Sequence, residues 1–113
     1  IMTIKDLLGR IEGTLLTEGS DLSRDILSGY ACDLLSWVMA RGQPGMAWVT
    51  VQLHLNVIAV AALHEMSCVI LPEELRMDDG ALSKAREEGI AVISSPLSAY
   101  ALCARMAEAG IPA

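Results

Sequence analysis

Short continuous apolar runs alternate along this chain with stretches in which apolar residues recur every three or four positions, and the switch between those periods outlines its elements. Near the start, Ile4, Leu7, Leu8 and Ile11 fall at i, i+3, i+4 and i+7, which predicts an amphipathic helix ended by Gly13. Thr3 followed by Asp6 has the spacing of a capping box, in which each side chain meets the other residue's backbone N–H. Thr14–Thr17 is a short β-prone stretch, and Glu18-Gly19-Ser20-Asp21 is a turn. Arg24–Cys32 alternates loosely as a strand around Ile26, Ser28 and Tyr30. Asp33 is placed to cap a helix over Leu34–Arg41, whose Leu34, Leu35, Trp37 and Val38 form one apolar face.

Gly42-Gln43-Pro44-Gly45 signals a turn, and the β-branched run that follows predicts a strand over Met46–Leu53. Asn56–Met66 reads as a helix that is apolar nearly all round and therefore covered on more than one side. Ser67–Leu71 is a second continuous apolar strand, stopped by Pro72. Asp78 or Asp79 caps a helix that runs to Glu88, with Gly89 in the position after its end. Ile90–Ser94 is a further strand, Ser95-Pro96 opens the last helix with proline in its first turn, and Gly110-Ile111-Pro112 stops it. From Met46 onward, strand and helix alternate twice with short links, the pattern of βαβ units with right-handed crossovers and a parallel sheet.

Composition narrows this picture. A chain of 113 residues can close one hydrophobic core, so residues 2–113 are expected to be a single domain; Ile1 ahead of Met2 reads as a tag remnant or an internal start. The apolar fraction of 53 % is high, Phe is absent, and the volume comes from Ala, Val, Leu, Ile and Met, the mix expected of a helix-covered parallel sheet. So much apolar content in so small a chain points to some of it lying in a subunit interface, as in a homodimer. The formal net charge of −6, without any Lys/Arg cluster, argues against nucleic acid or anionic membranes as partners. Cys32, Cys68 and Cys103 are odd in number and widely spaced, which fits reduced core cysteines rather than a disulfide framework. With no signal-peptide pattern and no apolar run longer than Val57–Leu63, the expected location is cytoplasmic.

The segment from Leu22 to Ser36, with Arg24-Asp25-Ile26-Leu27-Ser28-Gly29 at its centre, resembles the signature of DRTGG-domain proteins. The resemblance extends to Trp48–Asn56 and to Ser94–Ser98 and so covers essentially the whole chain. The five-residue motif that names the family is matched only loosely, with Tyr30 where its second glycine belongs. The chain is also similar to the N-terminal domain of HPr kinase/phosphorylase and to modules inserted in phosphotransacetylases and CBS-domain pyrophosphatases. That resemblance implies a three-layer α/β/α module with a small, mostly parallel sheet and a regulatory or interaction role, often dimeric.

In open α/β sheets, ligands bind beyond the carboxyl ends of the strands. Three polar groups are expected at such ends: Ser28, Gly29, Tyr30 and Asp33; Thr50, Gln52, His54 and Asn56; and Ser94 and Ser95 with Ser98. Where these ends lead into helix N-termini, the free N–H groups favour a phosphate or carboxylate, so a small anionic ligand, a nucleotide among the candidates, is the sharper expectation. The plainer one is that Asp33, Asn56 and Ser95 are helix caps. Tyr30 either lines the site or packs at an edge.

His54 could act as an acid or base only with an orienting partner, for which Asp33 is the available carboxylate; a hydrogen-bonded structural histidine is the alternative. His64 reads as a surface or interface group, and Trp37, Val38, Met39 and Trp48 as core or dimer contacts. No HxxxH or Cys/His spacing suggests zinc, and Glu73-Glu74 with Asp78-Asp79 reads as a solvated loop, so no metal and no cofactor is expected. GxxxxGK[ST], GxGxxG and GxSxG are absent, and Ser94 and Ser95 lack a base. The reading is a non-catalytic ligand-sensing module, with a homodimerising interaction or adaptor domain for a protein partner as the alternative, and a small enzyme using His54 and Asp33 as a third.

Overall fold

In the computed structural model, which describes residues 1–113, α1 (Ile4–Arg10) leads into β1 (Thr14–Leu15), and β2 (Ser28–Ala31) follows a long loop. After it come α2 (Leu35–Arg41), β3 (Met46–Val49), α3 (Leu55–Leu63), β4 (Cys68–Leu71), α4 (Asp79–Glu88), β5 (Ala91–Ser94) and α5 (Ala99–Glu108). The sheet order is β1-β5-β4-β3-β2, with β2 to β5 parallel and β1 antiparallel to β5. This is the expected three-layer, mostly parallel α/β/α domain.

The layers follow from the crossovers. Each successive parallel strand is laid beside the last in the same direction, and right-handed connections then keep every helix between them on one face. Hence α2, α3 and α4 share a core with Trp48, Val69, Leu71 and Val92, whereas α1 and α5 pack Ile4, Leu7, Leu102 and Met106 against Ala47, Val49, Ile70 and Ile93 on the other face. Strands covered on both faces need no polar alternation, and β3 and β4 are buried at every residue. The strand order never reverses, so the sheet has no switch point to open a crevice of the doubly wound kind.

Several boundaries come out as the sequence implies. Thr3 and Asp6 form the reciprocal capping box, which holds the Asp6 carboxyl below its ordinary value through the Thr3 hydrogen bonds. Asp78 caps α4 through the Ala81 N–H, and Gly89 closes it with φ +72°. Other boundaries are corrections. The strand expected over Arg24–Cys32 extends only from Ser28 to Ala31, with Asp25 making an isolated antiparallel bridge to Thr3. The one expected over Met46–Leu53 ends at Val49, because Thr50 turns its hydroxyl to Asp33 and takes the Gln52 N–H. α3 spans Leu55–Leu63 rather than Asn56–Met66, and its cap is His54, not Asn56.

The last helix begins at Ala99 with Ser98 as cap, and Pro96 lies outside it. Ser95 instead donates to the Ile11 carbonyl at 2.6 Å and accepts the Leu97 N–H, which fixes a turn before the helix can start. Of the apolar face expected on α2, only Val38 is fully buried; Leu34 and Trp37 are more than half exposed, with Arg41 stacked on the Trp37 ring. Trp48 is core, its Nε1–H donating to the Cys32 carbonyl. The outer edge of β2 is partly closed, because the Gly29 N–H donates to the Pro112 carbonyl at 2.8 Å.

The three cysteines differ. Cys68 is buried, and burial pushes its thiol up to about 12; Cys32 is half-buried, and Cys103 is exposed, contrary to the expectation of three core cysteines. Ellman's reagent should therefore label Cys103 at once and Cys68 only as the protein unfolds; prompt labelling of Cys68 would show that this side of the sheet opens readily. Leu7→Ala should lower stability by about 2–5 kcal/mol in urea titration, since α1 seals its face of the sheet through that fully buried side chain.

Candidate functional site

The polar residues anticipated at strand ends do not form one cluster. Ser28 and Gly29 open β2 at its amino end, away from the carboxyl rim, and a Cβ on Gly29 would come within 3.0 Å of the Met106 methyl. Tyr30 packs its ring against the α2–α4 core; desolvation, and secondarily the neighbouring Cys32, raises its phenol above the ordinary value, so it stays protonated. Asp33, Thr50 and Gln52 do come together at the carboxyl ends of β2 and β3, bonded to one another. The Thr50 hydroxyl donates to Asp33 Oδ1 at 2.7 Å, the Val51 N–H donates to the same oxygen at 2.9 Å, and Gln52 Nε2 donates to the Asp33 carbonyl.

Asp33 is thus a clasp between two strand ends and not the cap of α2, whose first residue follows Leu34 without any side-chain cap. His54 accepts the Asn56 N–H on Nδ1 at 3.0 Å, which places the ring proton on Nε2. No hydrogen bond joins His54 to Asp33, the partner an acid–base pair would require. His64 is half-buried beside Gly42, and its enclosed Nε2 has no hydrogen-bond partner. No three His, Cys, Asp or Glu side chains converge as metal ligands would.

Ser94 and Ser95 lie at the end of β5, two strand spacings or roughly 10 Å from the Asp33 clasp. There they line a cleft of about 330 Å³ together with Thr14, Glu74, Arg76 and Pro96, whose ring is the one apolar side chain among them. The Ser94 hydroxyl donates to the Leu75 carbonyl at 2.8 Å and keeps its lone pairs, whereas the buried Ser95 hydroxyl donates to the Ile11 carbonyl and accepts the Leu97 N–H. Arg76 is exposed and makes no ion pair, the only ones in the molecule being those of Lys84 with Glu87 and Glu88.

The loop that carries Arg76 is strained. Glu73 and Glu74 are consecutive left-handed residues, with φ of 56° and 60°, each costing on the order of 1 kcal/mol. They are held there by bonds from the Glu73 N–H to the Leu97 carbonyl and from the Glu74 N–H to the Ser95 carbonyl. Sequence reasoning considered the ends of the other strands and passed over β4, so it missed Thr14, Glu74 and Arg76. The signal available was Pro72, which ends β4 and sets Arg76 in the loop at its carboxyl end.

No family model matches the chain, and no curated protein matches it. Among solved structures, the chain is similar to the CBS and DRTGG domains of the regulatory region of Clostridium perfringens pyrophosphatase, complexed with activator, diadenosine tetraphosphate. The TM-score is 0.72 over 97 % of this chain and 47 % of that one, at 10 % sequence identity. The fold is therefore DRTGG-like, and this chain spans about half of the regulatory region it matches. The similarity to the HPr kinase domain gains no support from that likeness. No helix is long and apolar enough to cross a membrane.

Asp33→Ala should cost about 1–3 kcal/mol in chemical denaturation, because it leaves the buried Thr50 hydroxyl and the Val51 N–H without their acceptor. Asp33→Asn should recover part of that loss, and an unchanged midpoint in Asp33→Ala would show that the clasp does not hold the rim.

Proposed function

We propose that this chain is a cytoplasmic, non-catalytic regulatory module that senses a small anionic ligand, a nucleotide or sugar phosphate, in the cleft beyond β4 and β5. The observation that carries this reading is the unpaired Arg76 guanidinium in a cleft whose lining is polar apart from Pro96. A guanidinium fork matches phosphate oxygens, the Ser94 oxygen can accept a ligand hydroxyl, and Glu74 can accept from a sugar. A ligand carrying both phosphate and hydroxyl groups satisfies all of these, whereas a bare anion would meet Glu74 unfavourably.

The DRTGG-like fold supports the regulatory half of the reading, since the similar solved structure is a regulatory region in complex with a dinucleotide activator. The resemblance to the HPr kinase domain belongs with the same proposal. The bonding of His54, Ser94 and Ser95 supports a binding role over catalysis, because each side chain is hydrogen-bonded to the backbone and none to an acid or base side chain. Thermal-shift measurements against nucleotides, sugar phosphates and acyl phosphates test it. A ligand at 100 times its Kd stabilises by about 2.7 kcal/mol, a rise of roughly 10 °C or more for a domain of this size. The rise should vanish in Arg76→Ala; silence across the panel, or a shift that survives that substitution, overturns the reading.

A second reading, a homodimerising interaction domain, is favoured by where the exposed apolar side chains sit. Six of the nine large ones, Leu34, Trp37, Met39, Val51, Leu55 and Leu63, belong to α2, α3 or the residues just before them. Sedimentation should then show a species of twice 12.1 kDa; a clean monomer at high concentration overturns it.

A further inference from the structure

α3 carries no charged residue from Leu55 to Leu63, and Asn56 is its one polar side chain. Its inner side, Val57, Ile58, Val60 and Ala61, is buried in the core. Its outer side is a stripe of Leu55, Ala59 and Leu63 at i, i+4 and i+8, with Leu55 45 % and Leu63 66 % exposed. A helix on a protein surface ordinarily turns charged residues outward, and one that is apolar on both sides is covered on both.

The order of the stripe specifies what covers it. Leu55 and Leu63 stand at equal distances either side of Ala59, so the stripe reads the same in both chain directions. We infer that α3 packs antiparallel against α3 of a second copy, about a twofold axis at Ala59. That arrangement sets each Leu55 against Leu63 of the other copy and the two Ala59 methyls against each other, where a small side chain lets the axes approach to about 8 Å. A twofold interface demands such a self-complementary patch.

Charge favours the same occupant. The chain carries −6 overall, yet neither α2 nor α3 contains an Asp or Glu, so two copies meet here without opposing carboxylates. A stable interface takes on the order of 600 Å² or more from each partner. Met39, Val51, Leu55 and Leu63, each 45–66 % exposed, lie with the small exposed residues Ser36 and Ala40 over these two helices and their flanks, and form the apolar part such an interface would bury. Between α2 and α3, a groove of about 380 Å³ bordered by Met39 and Ala59 lies alongside the stripe and receives a side chain from the facing copy.

This inference rests on the association reading and adds its geometry. Sedimentation of the wild type, of Ala59→Glu and of Tyr100→Glu, together with non-reducing electrophoresis of Ala59→Cys in a Cys103→Ala background, tests it. The wild type and Tyr100→Glu, altered at an exposed residue of α5 on the other side of the sheet, should be dimers. Ala59→Glu should weaken the dimer about a hundredfold by opposing two carboxylates on the axis, with its helical circular dichroism retained. Ala59→Cys should cross-link to itself, since the two Cα atoms fall within disulfide reach, and it keeps the test in force should glutamate unfold the helix. A monomeric wild type overturns this arrangement and the association reading together. A dimer that persists in Ala59→Glu, or that fails to cross-link in Ala59→Cys, overturns the α3 arrangement alone.

Discussion

Right-handed crossovers between strands added always on the same side determine where every other part of the molecule lies. They commit α2, α3 and α4 to one face and leave the other bare, so that α1 and α5, the elements outside the crossover series, must cover it. The same constraint aligns the carboxyl ends of β2 to β5 in one rim. Because the order never reverses, that rim has no built-in crevice, and any cleft in it must be made by loops. The strained Glu73–Glu74 turn makes one, lifting the β4–α4 connection beside the ends of β5 and β1.

The parts of the fold legible in the sequence are those set by local physics. Periodicity located α1, β4, α4 and β5, and the Thr3–Asp6, Asp78 and Gly89 caps acted where they stood. Two of the misplaced boundaries share one cause: a polar side chain read as serving its own neighbours is bonded far along the chain. Asp33 reaches Thr50, and Ser95 reaches Ile11, so neither is available to start a helix. Short sequence windows carry no information about such partners. Trp37 shows the converse, since helical spacing identifies an apolar stripe without saying whether the chain itself or another one buries it.

The candidate site was half legible. Ser94 and Ser95 were picked out because they end a strand, but Arg76 lies in a loop whose shape depends on hydrogen bonds to the residues after β5. Asp33, Thr50 and Gln52, read from the sequence at two different strand ends, lie together, though their donors and acceptors are spent on each other. Polar density at a strand end therefore identifies either a site or the brace that holds the rim, and only the bonding distinguishes the two. Here the brace lies at the β2–β3 end and the open cleft at the β4–β5 end. The open cleft and the apolar helical face consequently occupy different parts of the molecule.

One contact at the margin of the sheet bears on how the protein behaves in a crowded solution. Open strand edges are templates on which foreign chains can align and extend, the first step toward fibrils. This sheet ends at one side in the two-residue antiparallel β1 and at the other in β2, where Pro112 occupies the Gly29 N–H. Neither margin offers a long run of free donors, and proline itself has no N–H to continue the ladder. Ordered growth by strand addition is thereby discouraged at both ends, and encounters between molecules are left to side chains on helices, where they can be specific and reversible.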